Sequence, residues 1–292
     1  MGQAYVIGED QVKNTPPKFH YPADIQLQTS PLVEAWLEIR WQLQSGEVAN
    51  LMRDPGFPFA LGAFYSSIKD EFGHREDLDA SHMPEEMLPH VVRHRFRPAQ
   101  DESPLLQLGP GVASVNFTTS YTWNDFEQRA MYLREKLLGA YDVDLKTLLV
   151  ALRYRNVMPF EYSSESLLRF LERNLNISIG LPIHIPGSAA STGLLSGARF
   201  VMTFDLYEPV GAGTIRTSTG TRTHRDATIG KESQKEEIVV WEMEVLSKDP
   251  HVPQLDSGEQ FREWLGAAHA VIHEWFFSLI DGPLYRMYKS EM

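Results

Sequence analysis

Residues 31–43, PLVEAWLEIRWQL, alternate strictly along the chain. Val33, Ala35, Leu37, Ile39, Trp41 and Leu43 fall on one side of an extended segment, and Glu34, Trp36, Glu38, Arg40 and Gln42 on the other. The first set is the core face of a strand. The second carries three charges and a tryptophan, so it has to meet water, buried counter-charges or a ligand.

The pattern then changes period. FALGAFYSSIKDEF places Leu61, Phe64, Tyr65, Ile68 and Phe72 at helical spacing, and VVRHRFRP returns to alternation, with Arg93, Arg95 and Arg97 opposite Val92, His94 and Phe96. PLLQLGPGVASVNFT predicts two short strands around a Gly109-Pro110-Gly111 turn. A helix over DFEQRAMYLREKLLG follows, with Asn124 as its cap, a stripe of Phe126, Ala130, Leu133 and Leu137, and Gly139 as its stop. LKTLLVALRYRNV is the next strand and ESLLRFLERNL a short helix. Four strand candidates fill the last third: ISIGLPIHI, ARFVMTFDLYE, GTIRTSTGTRT and EEIVVWEMEVL. The connection PGSAASTGLLSG is rich in small residues, and THRDATIGKESQKEE is polar enough to predict mobility. Ser257 with Gln260 three residues on predicts a capping box for a long terminal helix, whose apolar face runs through Phe261, Leu265, Ala268, Ile272, Phe276 and Leu279.

This order lacks a regular strand–helix alternation. It predicts an α+β protein of antiparallel sheets covered by helices, with a long C-terminal helix and a first half whose βαββαβ order a ferredoxin-like unit would satisfy. Residues 1–25 read as an N-terminal arm, 26–160 as an α+β half and 161–292 as a β-rich half with the C-terminal helix. A single continuous domain across the last two is the other arrangement open to the pattern.

Composition narrows the function classes. The 292 residues carry 39 Asp and Glu against 27 Lys and Arg, a formal charge of −12 that argues against general nucleic-acid binding. With no cysteine there is no disulfide, thiolate ligand or cysteine nucleophile. No apolar run approaches the roughly eighteen residues of a membrane span, and the first residues lack signal-peptide architecture, so a cytoplasmic protein without membrane attachment is expected.

Familiar catalytic strings are missing. There is no G-x-S-x-G elbow, and Ile229-Gly230-Lys231-Glu232 has Glu where a phosphate-binding loop needs Ser or Thr. His269 and His273 share one helix face, as two metal ligands would, yet Glu274 follows the second His and no third ligand is named by spacing. No cofactor or metal is expected. Asp205, Glu242 and Glu244 gather on late strands, the last two on one face. The most coherent constellation is arginine: Arg93, Arg95 and Arg97 on one strand, Arg153 and Arg155 on another. Such guanidiniums need carboxylates or an anionic ligand, and Glu34 and Glu38 on the opening strand are their natural partners.

Three stretches together, SPLVEAWLEIRW, LGPGVASVNFTTSYTWNDF and VALRYRNV, resemble an uncharacterised, sporadically distributed prokaryotic family. Its members open on a P-x-V-E-A-x-x-E-I-R strand, carry an L-R-Y-x-N strand and end in a helix with a His before a Phe-rich segment. The matching positions are Pro31, Val33, Glu34, Glu38, Arg40, Tyr121, Trp123, Phe126, Arg153, Tyr154, Asn156 and His269. The resemblance implies no settled activity, and its patchy distribution suits defence-associated genes. The expected function is a non-catalytic binding or regulatory protein that recognises another protein, in a prokaryotic defence or toxin-control setting. The rival is a binder or hydrolase of an anionic small molecule. The expected site comprises Glu34, Glu38, Arg40, Arg93, Arg95, Arg153, Tyr154, Asn156 and His269, and the oligomeric state is left open.

Overall fold

The computed structural model describes residues 20–22, 25, 27–45, 51–84, 87–141, 144–161, 166–180, 197–223 and 235–289. The N-terminal arm and the connections PGSAASTGLLSG and THRDATIGKESQKEE lie largely outside these. In chain order the elements are β1 (Leu32–Trp41), β2 (Gln44–Ser45), β3 (Met52–Arg53), α1 (Phe57–Ile68), β4 (His74–Asp77), β5 (His94–Arg97), β6 (Leu105–Gly109), β7 (Val112–Phe117), α2 (Trp123–Ala140), β8 (Thr147–Pro159), α3 (Leu167–Leu175), β9 (Arg199–Tyr207), β10 (Val210–Thr223), β11 (Lys235–Ser247), α4 (Gly258–Ile280) and α5 (Pro283–Lys289).

Nine strands form one antiparallel sheet in the order β4-β5-β6-β7-β1-β8-β11-β10-β9, and β2 pairs with β3 separately. The fold is α+β, as the pattern predicts. Within the sheet, β6-β7-β1-β8 with α1 and α2 in the crossovers is the split βαβ order of a ferredoxin-like unit. β4 and β5 extend it on one side and the β9–β11 meander on the other.

β1 sits at the centre, antiparallel to β7 and β8. Its pleat sends Ala35, Leu37 and Ile39, all fully buried, into the core under the helices, together with Phe126, Leu133, Trp241, Phe261 and Leu265. Its other face looks away from the helices.

α4 packs on β8 and β11 and touches α2, α3 and α5. Ser257 caps it, accepting from the Gln260 amide at 3.4 Å. The close approach of α4 to β10 depends on Gly213, where an added Cβ would meet the Trp275 ring at 2.1 Å.

Some local expectations change. α2 begins one residue before Asn124, and its cap is Thr122, whose hydroxyl accepts from the Asp125 amide at 3.2 Å. Gly139 lies inside that helix, which ends at Tyr141 with extended backbone. ISIGLPIHI is not a strand where it is described: Ile177–Gly180 have no regular structure, and the rest lies outside the described residues. β4 and α5 had no periodic signal, because HRED and PLYRMYK are too short to show one.

Candidate functional site

The pleat of β8 sorts the expected site residues onto two faces of the sheet. Arg153 and Arg155 project from one face, and Tyr154 and Asn156 are buried on the other, so the set does not form one site.

The face away from the helices is an ion ladder. Cross-strand register places Arg155 between Glu34 and Glu242, and Arg153 between Trp36 and Glu244. Arg155 donates to Glu34 at 2.9 Å and to Glu242 at 2.6 Å. Glu244, 2% exposed at its side chain, accepts from Arg153 through one oxygen and pairs with Arg216 at 2.6 Å through the other. The Trp36 ring lies under both arginines, with guanidinium carbons 4.4 Å and 5.2 Å from its centroid. Glu38 receives Arg40 from its own strand at 2.7 Å, and Arg95 and Arg97 both bond Glu76 on the edge strand β4. Arg93 stands apart from that stripe: it precedes β5, is buried, and donates to the Met83 carbonyl at 2.8 Å. Glu38 thus meets neither Arg95 nor Arg153. Arg216 was missed as the second partner of Glu244, although it is one of only two charges in GTIRTSTGTRT, with Arg222.

The helix side holds a pocket of about 430 Å³. Its walls come from the segment before β1 (Ile25, Leu27), the start of α2 (Tyr121, Trp123), β8 (Tyr154, Asn156) and α4 (His269, His273, Phe276, Phe277). Tyr121 is hydrogen-bonded to Tyr154, whose hydroxyl is in turn 2.8 Å from Nδ1 of His269. The indole of Trp123 lies flat on the His269 ring, with centroids 3.8 Å apart and planes 4° from parallel. Among the described residues His269 Nε2 has no hydrogen-bond partner, and Nε2 of His273 is buried without one. Asn156 donates to the Trp241 carbonyl at 3.5 Å. The N-terminal wall is fastened to α4 through Glu274, which accepts from the His20 and Tyr21 amides. Ile25, Leu27, Phe276 and Phe277 had no signal as wall residues, since apolar positions bordering a core and a pocket look alike in sequence.

Burial controls the protonation of this group. It raises the hydroxyl pKa values of Tyr121 and Tyr154, and it lowers His269 to about 3, with His273 adding a smaller push in the same direction. The neutral imidazole therefore has one donor and one acceptor nitrogen. Among the described residues no cluster of three or more His, Asp or Glu side chains is placed to hold a metal ion.

A pH dependence follows. Unfolded, His269 takes a proton near pH 6.5, and folded only near pH 3, so between those values the unfolded chain binds more protons. Its contribution is complete above about pH 6.5 and drains on acidification by roughly 1.4 kcal/mol per pH unit. His94 and His273 are shifted the same way by burial and steepen the loss. Urea unfolding at pH 7, 6 and 5 should show His269→Gln losing less stability per pH unit than the wild type; equal slopes would contradict a buried neutral His269.

No protein-family model, curated protein or solved structure matches this chain.

Proposed function

We propose that the protein is a non-catalytic binding protein whose pocket holds a small, uncharged, planar molecule. The supporting observation is the Tyr121–Tyr154–His269 hydrogen-bond chain, which opens on a 430 Å³ pocket walled by Trp123, Phe276 and Phe277. That volume falls in the range of small-molecule sites, which are mostly apolar with a few fixed polar groups. Among the described residues no Asp, Glu, Lys or Arg lines it. A charged ligand would lose its hydration there with no counter-ion in return. Aromatic walls favour a flat ring system, and His269 Nε2 offers it a donor or an acceptor according to tautomer.

Catalysis fits less well. A general acid or base works best with a pKa near the operating pH, and burial moves His269 and both tyrosines far from neutrality. The arginine face loses its motive for an anionic ligand, since Arg40, Arg95, Arg97, Arg153, Arg155 and Arg216 all meet carboxylates.

Thermal-shift titration with indole, quinoxaline and adenine, beside inorganic phosphate and succinate, tests this reading. At least one flat uncharged probe should stabilise the wild type, by up to about 2.7 kcal/mol at a hundred times its dissociation constant. Trp123→Ala should abolish the effect. Stabilisation by phosphate or succinate alone would overturn it.

A second reading, recognition of a protein partner, is favoured by a different surface, the edge of β9, which has no strand beside it among the described residues and carries exposed apolar side chains. A defence or toxin-control setting, which the patchy distribution of the resembled family would suit, is compatible with either form of recognition.

A further inference from the structure

The two ends of the nine-stranded sheet are built differently. β4 is four residues long and laced with charge pairs, Arg75 to Asp77 and Glu76 to Arg95 and Arg97, which is how an edge is kept from pairing with another chain. β9 runs for nine residues, bonds β10 on one side and has no strand on the other among the described residues. Val201 is 52% exposed, Phe204 42% and Tyr207 72%.

The charges on this edge are also unspent. Arg199 and Asp205 are exposed, and neither has an ion-pair partner among the described residues. In β9 the odd positions share the face of Thr214 and Arg216, hence of the ion ladder, and the even positions share the face of Gly213, hence of α4. Phe204 packs on Trp275 of that helix, with centroids 5.4 Å apart and the rings tilted by 54°.

We propose that β9 pairs antiparallel with β9 of a second copy of this chain about a twofold axis at Met202, joining the two sheets. Met202 then faces Met202, Phe200 faces Phe204, Val201 faces Thr203, and Arg199 faces Asp205 at both ends of the ladder. The open face gains two cross-strand ion pairs, and the helix face gains two aromatic pairs continuous with Trp275. Moving the axis one residue to Thr203 sets Arg199 against Tyr207 and Asp205 against Val201, so only the Met202 register satisfies the charges. Edge pairing supplies main-chain hydrogen bonds, and the side-chain pairs select the partner. This inference deepens the partner reading of the β9 edge by naming its occupant, and it is independent of the pocket.

Sedimentation velocity of the full chain reads it out. The wild type should dimerise, Arg199→Asp and Asp205→Arg should each weaken the dimer about tenfold or more, and the R199D/D205R exchange should restore it. These positions are exposed, and unchanged thermal unfolding of each variant verifies that it folds. Because the chain has no cysteine, Met202→Cys introduces a single thiol at the axis. Paired residues there have Cα atoms about 4.5–5.5 Å apart, within reach of a disulfide, so mild oxidation should give a covalent dimer. A dimer indifferent to the reversals, an exchange that fails to rescue, or an M202C chain that stays uncrosslinked overturns this register. A monomeric wild type that captures a different chain, with amide exchange slowed in β9, overturns the second copy but leaves the partner reading standing. A monomer with β9 unprotected in host extract sinks both.

Discussion

Glu244→Ala should destabilise the protein by about 3–5 kcal/mol, the usual cost of removing one member of a buried ion pair. The carboxylate is 2% exposed and is the shared acceptor of Arg153 and Arg216, which are 29% and 27% exposed at their side chains. Without it, two guanidiniums remain against a half-dry sheet face, Arg153 over the Trp36 ring. The neighbouring rung should behave differently. Arg155 is 39% exposed, so Arg155→Ala is expected to cost under about 1 kcal/mol despite its two carboxylate contacts. Replacing Glu244, Arg153 and Arg216 together by Leu and Met should recover most of the loss, because buried triads are often no better than apolar packing. Urea midpoints at constant m-value measure all three. If Glu244→Ala falls within 1 kcal/mol of Arg155→Ala, the ladder is a solvated surface.

Asp54→Ala should cost about 3–4 kcal/mol. One of its oxygens accepts from Trp41 Nε1 at 3.0 Å, the Gly111 amide at 3.2 Å and the Tyr141 hydroxyl at 2.7 Å. These donors come from β1, the β6–β7 turn and the end of α2, so a single carboxylate ties three elements at one corner. Gly111 is in the left-handed region, at φ 72°, which brings its amide to Asp54 without a Cβ penalty. Hydrogen bonds to a charged acceptor are worth more than neutral ones, and orphaned buried donors cost more again. Asp54→Asn keeps an acceptor oxygen and should cost only about 1 kcal/mol. Equal losses for Ala and Asn would show that Asp54 acts through its charge rather than by collecting donors.

Legibility in the sequence followed periodicity. The core face of α2 could be read residue by residue and those of β1 and α4 in large part, because the alternation of two and the spacing of three to four report burial. Val33, Phe276 and Leu279 are only half-buried, and Trp264, Val271, Phe277 and Ile280 join the α4 core unpredicted. The α+β order and the ferredoxin-like arrangement followed from those elements. The cap at Thr122 was misplaced because Thr, Asn and Asp compete within one short stretch. The arginines were legible as needing partners. Which carboxylate each would meet was not, since that depends on the order of strands far apart in sequence. Tyr154 and Asn156 were grouped with Arg153, although the pleat alone puts neighbours on opposite faces. The pocket was invisible as a unit because its walls come from four separate segments, yet Tyr121, Trp123, Tyr154, Asn156 and His269 had all been singled out beforehand. Asp54 carried no periodic signal at all.

The pocket and the ladder make opposite claims about where a ligand binds, and tryptophan reports on each. Of the six indoles, Trp123 lies in the pocket and Trp36 under the arginines, so ¹⁵N–¹H indole spectra can follow both in one titration. With unlabelled quinoxaline at pH 7, the Trp123 signal should move in a saturable way while Trp36 and the buried Trp241 stay still, and phosphate should move none of them. A Trp36 signal that shifts with phosphate while Trp123 ignores every flat uncharged probe would contradict the account.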